Sequence, residues 1–149
     1  MKITLTQEAF AFILNHAREQ FPLEACGLIA GKVKDDLIEI TQVYPLKNVL
    51  QSRERFSIDP KEQLLATKSI RSQELTPLGN FHSHPETPAR PSPEDLKLYL
   101  DPSATYLILS LAERRPVLKA FGLKIDSGQS LPIEHDLEIL KSTKLSKLN

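Results

Sequence analysis

Leu78-Gly79-Asn80-Phe81-His82-Ser83-His84-Pro85 reads as a strand ended by a proline, and Ser92-Pro93-Glu94-Asp95 reads as a helix start. Alternation along a strand puts both imidazoles on one face and sends Phe81 and Ser83 to the other. In the second segment Ser92 is a cap, Pro93 takes the first helical position and two acids fill the first turn. Between them Pro85, Pro88 and Pro91 stiffen the loop and hold the residues before them extended. A strand, a rigid loop and a helix folding back over the strand end make a unit of an α/β domain. His82, His84 and Asp95 together offer two nitrogens and a carboxylate oxygen. That is one ligand fewer than a structural zinc site closes with, and it leaves a position for water, as catalytic zinc requires. The spacing points to a metal hydrolase.

Each member alone has an ordinary reading. Two histidines are common on a half-exposed strand, and a first-turn acid complements the helix dipole without any metal. The signal is the conjunction at one strand end. Other histidine-pair metal folds fail on counting. Glu86 and Thr87 stand where the metallo-β-lactamase pattern needs an aspartate and a histidine. An amidohydrolase barrel needs about 250 residues and further histidines, of which only His16 and His135 remain. No His-Glu-x-x-His is present.

With 149 residues, one domain with a sizeable core is expected over 1–149. Zero formal net charge gives no bulk field toward nucleic acid or an anionic membrane. No apolar run approaches the roughly 20 residues that span a bilayer, and the N-terminus lacks a signal peptide's apolar region. Cys26 is the sole cysteine, which rules out an internal disulfide and thiolate zinc clusters and fits a reducing cytoplasm.

The remaining elements follow from punctuation and periodicity. Lys2 to Leu5 is a short strand. Thr6 caps a helix from about Gln7 to Gln20 whose stripe is Phe10, Ile13, Leu14 and Ala17. Glu24 to Gly31 and Leu37 to Tyr44 are paired strands, and Asn48 to Ser57 is loop. Asp59-Pro60 opens a helix to about Ser72. A short helix follows Ser92, and Thr105 to Leu111 and Pro116 to Ile125 are strands. Ile133, Leu137 and Leu140 suggest a terminal helix running into a lysine-rich tail. The fold class is α/β, a mixed sheet with helices outside.

His82-Ser83-His84-Pro85, Ser92 and Asp95 match the complete His-x-His, x7, Ser, x2, Asp signature, and the chain resembles the JAMM (MPN-plus) zinc metallopeptidases. Pro22-Leu23-Glu24-Ala25-Cys26-Gly27-Leu28 is similar to the strand that supplies that family's catalytic glutamate, and Arg55 to Pro60 is similar to the stretch between the two motifs in small bacterial members. The resemblance covers about residues 1–125 and leaves 134–149 as a C-terminal extension. It implies a cytidine-deaminase-like MPN fold and one zinc held by His82, His84 and Asp95, with water as the fourth ligand. It makes Glu24 the base that handles the water's proton. Ser92, besides capping its helix, becomes the donor to the oxyanion. Cys26 reads as packing near the site, His16 as a structural histidine and Asn48 as a contact to the substrate backbone.

The implied activity is cleavage after the C-terminal Gly-Gly of a ubiquitin-like or sulfur-carrier protein. The tail would add alongside a sheet edge near the zinc. MPN-type domains often pair, so a homodimer is expected as an option. The competing class is a non-catalytic MPN scaffold, whose members usually lack a ligand or the glutamate; all five positions are present here. A deaminase would need the Pro-Cys-x-x-Cys ligands that this chain lacks.

Overall fold

The computed structural model describes residues 1–141. Along the chain run β1 (Lys2–Thr6), α1 (Gln7–Gln20), β2 (Cys26–Lys34), β3 (Leu37–Leu46), α2 (Pro60–Ser72), β4 (Thr76–His84), α3 (Pro93–Leu98), β5 (Thr105–Ser110), β6 (Val117–Asp126) and β7 (Gln129–Leu140). The strands hydrogen-bond in the order β1-β3-β2-β4-β5-β6-β7, and β7 returns to β1 to close the sheet into a barrel. The sheet is mixed: β4 is antiparallel to β2 and parallel to β5.

Alternation sorts the side chains into an inner and an outer layer. Ile3, Leu5, Ile29, Ile40, Phe81, Leu107 and Leu109 form the inner core, and α1 packs against it. Thr6 ends β1 and starts that helix, its hydroxyl accepting from the Ala9 amide at 3.1 Å. The expected stripe is the docking face, with Ile13 and Ala17 buried and Phe10 and Leu14 packed beside them. Full burial of one such aliphatic side chain contributes about 1.5–3 kcal/mol. On the outer face, Leu28 and Ala30 of β2 meet Ala66 and Ile70 of α2. Tyr106 and Ile108 of β5 meet Tyr99, just past α3. The outer face of β4 therefore lies between α2 and α3.

Gly79 lets β4 and β5 come together. Its φ is +150°, and a Cβ there would stand 1.9 Å from the Thr105 carbonyl oxygen.

Two expectations are corrected. The terminal helix is a strand: Glu134–Leu140 belongs to β7, which pairs with β6 on one side and β1 on the other. Its odd-numbered residues Leu131, Ile133, Leu137 and Ile139 alternate with period two, and two open edges outweigh a helical spacing of three apolar residues. Part of the expected extension is thus a stave of the barrel, and residues 142–149 lie outside the described residues. The second correction is smaller. β2 begins at Cys26, so Glu24 sits just before the strand.

Candidate metal centre

His82 and His84 occupy the C-terminal end of β4, on its outer face, with Phe81 and Ser83 turned to the other side. Asp95 arrives from α3 through a capping box. The Ser92 hydroxyl oxygen accepts from the Asp95 amide at 3.1 Å, and the Ser92 amide donates to Asp95 Oδ2 at 2.9 Å. That carboxylate oxygen lies 3.2 Å from His82 Nε2 and 3.1 Å from His84 Nε2, and the two Nε2 atoms are 3.0 Å apart. All three residues are buried.

The arrangement suits a metal ion by its own chemistry. Three electron-pair donors converge on one point. Ligands about 2.05 Å from a tetrahedral zinc lie roughly 3.3 Å from each other, and the three separations fall just short of that. Burial raises a lone carboxyl, but hydrogen bonds from His82 and His84 outweigh it and hold Asp95 well below the usual carboxylate range, as a ligand must be. Burial lowers His82 and keeps its ring neutral. For His84 burial acts the same way, but its bonds to Asp95 and the Pro88 carbonyl win and raise it.

The surroundings aim the two rings differently. His84 Nδ1 donates to the Pro88 carbonyl at 2.8 Å, which fixes the tautomer that turns Nε2 to the centre. His82 Nδ1 is buried with no hydrogen-bond partner. That ring is held instead by Phe56, stacked on it at 4.6 Å with 21° between planes.

Glu24 stands beside the three-residue group without joining it. It is only 3% exposed, and its Oε1 has no hydrogen-bond partner. Burial pushes the carboxyl up to about 8, with His84 opposing and Asp95 adding to the rise. Its backbone is tied at both ends: the amide donates to Ser52 O at 2.8 Å, and the carbonyl accepts from Asn48 Nδ2 at 3.0 Å. Next to it, the Ala25 amide donates to Ser83 Oγ at 2.8 Å, and the Ser83 amide to the Ala25 carbonyl at 2.9 Å. The residue between the two histidines thus anchors the segment that carries the glutamate.

Asn48 departs from its expected role. Its Nδ2 donates to the carbonyls of Glu24 and Arg55, and its Oδ1 accepts from the amides of Leu50 and Ser57. Both amide protons and both lone pairs are in use. It is a clamp that ties the 48–57 loop to Glu24, with nothing left for a substrate. Cys26 is a register partner of His82 but lies outside the ligand group, and its thiol reaches the Leu46 carbonyl at 3.7 Å. His16 is half-buried, its Nε2 3.2 Å from the Cys26 carbonyl, as a structural histidine would be. The Pro88 carbonyl and the anchor of Ser83 had no sequence signal of their own, and Phe56 figured only within the Arg55 to Pro60 resemblance, since each acts through a partner distant in the chain or through its backbone.

Residues 6–122 match the family described as prokaryotic homologs of the JAB domain. Among characterised proteins, the chain is 36% identical over 95 residues to the CysO-cysteine peptidase of Mycobacterium tuberculosis, covering 64% of each chain. The match therefore takes in a little under two thirds of that relative's length. It is 34% identical over 114 residues to the desampylase of Haloferax volcanii, covering 73% of this chain and 81% of that one. A protein of Desulfitobacterium hafniense solved in solution shares the fold, with a TM-score of 0.83, 46% identity and 96% of each chain covered.

Proposed function

The chain belongs to the prokaryotic homologs of the JAB domain, and on that footing we propose that it is a zinc-dependent peptidase. Its substrate is a ubiquitin-like or sulfur-carrier protein, cut after the C-terminal Gly-Gly at a peptide or isopeptide bond. The observation that carries the reading is the convergence of His82, His84 and Asp95 beside a buried, unpartnered Glu24. A scaffold has no use for an orphaned carboxyl next to three converging ligands. The names of the mycobacterial and haloarchaeal relatives, a CysO-cysteine peptidase and a desampylase, support the substrate class. No helix among the described residues is long and apolar enough to cross a membrane, and a cytoplasmic setting suits a site built without disulfides.

His82, His84 and Asp95 would hold the zinc. When bound, zinc lowers the pKa of water to about 7 and polarises a carbonyl oxygen. Glu24 accepts the proton of the attacking water and delivers it to the leaving nitrogen. Its burial suits this work, since a base is most effective with a pKa near the working pH. Its backbone ties to Ser52 and Asn48 hold it in place for both transfers. Ser92 keeps its oxygen on the helix N-terminus while its own proton stays uncommitted, so it can donate to the developing oxyanion. One such donor is typically worth about 10²–10³ in rate.

The test joins metal content to cleavage of a carrier-protein conjugate. Purified chain carries one zinc, cleaves the conjugate, and stops when a strong chelator is added. Glu24→Gln keeps the zinc and loses cleavage, whereas His82→Ala and Asp95→Ala lose the metal. Protein without metal, together with a fully active Glu24→Gln, would sink the reading.

A further inference from the structure

The topology removes the sheet edge to which a substrate tail was expected to add. Within β4, Asn80 and His82 are paired on one side with Leu28 and Cys26 of β2, and on the other with Tyr106 and Ile108 of β5. A chain leaving the metal centre must lie across the outer face of β4, between α2 and α3. A groove runs there. One cavity of about 610 Å³ starts at Asp95 between Phe56, Ile58 and Leu98. It meets a second, of about 310 Å³, which is lined by Gly79, Leu100 and Tyr106. Gln63, Asn80 and Leu98 line both cavities and so mark their junction.

A segment lying on a face meets no backbone ladder, so its N–H and C=O groups need side-chain partners. Asn80 is placed to supply one. It shares the outer face with His82 and His84, and its cross-strand neighbours Leu28 and Tyr106 are apolar. Its Oδ1 is buried and has no hydrogen-bond partner. An unpaired acceptor on a side chain that lines both cavities calls for a donor, and a turn of that side chain brings it to the groove surface.

We propose that Asn80 holds the substrate tail in register. Its Oδ1 accepts a backbone N–H of an extended tail laid across β4, and the cavity beyond it takes an apolar side chain of that tail. This rests on the peptidase reading above. Asn80 precedes His82 by two residues on one face, about 6.6 Å at the rise of a strand. The contact therefore falls about two residues upstream of the scissile bond, and the apolar side chain lies beyond it. An apolar residue beyond the Asn80 contact is the tail feature this groove selects.

The probe is a ubiquitin-like carrier ending in Gly-Gly and extended by a short reporter peptide, cleaved by the zinc-loaded protein. Asn80→Leu raises KM about tenfold, the worth of one net hydrogen bond, and changes kcat less than about twofold. Asn80→Asp, which keeps an acceptor oxygen, stays closer to wild type in KM. A carrier with a backbone ester in place of the proposed donor amide loses the N–H. The wild-type protein then shows the same tenfold rise even if the leucine variant does not fold, and combining both changes costs no more than either alone. Unchanged KM in Asn80→Leu, with cleavage still zinc-dependent, overturns the assignment of Asn80 and leaves the peptidase reading standing. Absence of any cleavage by wild type overturns the peptidase reading. Calorimetry with the unextended carrier then decides Asn80 independently, since equal Kd in wild type and Asn80→Leu overturns it and a tenfold weaker Kd supports it.

Discussion

The ring of Phe56 lies flat against the ring of His82, 4.6 Å away and tilted by 21°. His84 is steered by a hydrogen bond to Pro88, but His82 Nδ1 has no hydrogen-bond partner and depends on this contact for its aim. Groups that orient a metal-bound histidine typically matter by about 10–100-fold in affinity. Phe56→Ala should therefore weaken zinc binding about tenfold, with Phe56→Tyr close to wild type. Competition against a chromophoric chelator measures both.

Asn48 closes four hydrogen bonds at once, one of them to the carbonyl of Glu24. Asn48→Ala leaves buried groups unpaired and should cost about 2–4 kcal/mol in chemical denaturation. The same change frees the backbone of the proposed base. Cleavage should fall while the zinc content of the folded protein stays at one, which separates positioning of Glu24 from loss of metal.

Glu24 gives the zinc-free protein a pH signature. Its carboxyl rises from an ordinary 4.5 to about 8 on folding, because burial disfavours the charge. A raised folded pKa means the stabilising protonated form is intact below about pH 4.5 and is lost as pH climbs through about 8. Glu24→Gln mimics that protonated form at every pH. The variant should melt together with wild type at pH 4 and above it at pH 8, by up to roughly 4 kcal/mol or on the order of 10 °C. Thermal scans of chelator-treated protein across that range read the difference directly. Equal melting temperatures at pH 8 would show that the carboxyl is solvated.

Cys26 is fully buried, and burial, with Glu24 nearby, pushes its thiol up to about 12. Only thiolate reacts with alkylating agents. The native protein should resist iodoacetamide at pH 8 for hours, and the same protein in denaturant should label at the rate of a free thiol. Mass spectrometry after a timed quench distinguishes the two.

Much of this was legible because strand and helix periods left marks in the sequence. Alternation separated His82 and His84 from Phe81 and Ser83, and the Ser92-Pro93 start announced the helix that brings Asp95 back. The barrel closure was not legible. Ile133, Leu137 and Leu140 fit a helical spacing as well as a strand, and what decides between them is the open edge of β1, more than 120 residues away in the chain. Asn48 misled for a related reason. A loop asparagine looks available until the carbonyls and amides around it are placed, and here they use all its capacity.

The capping box of Ser92 and Asp95 makes one oxygen serve two structures. Asp95 Oδ2 receives the amide that starts α3 and also faces both histidines. With six residues, α3 is too short to persist on its own. The position of Asp95 and the start of α3 are therefore set together, and Leu98, a wall of the groove, belongs to that helix. Any change that displaces the Asp95 carboxylate would therefore shift one wall of the groove along with the candidate metal centre, so a single cap residue links the shape of the cleft to the chemistry at its end.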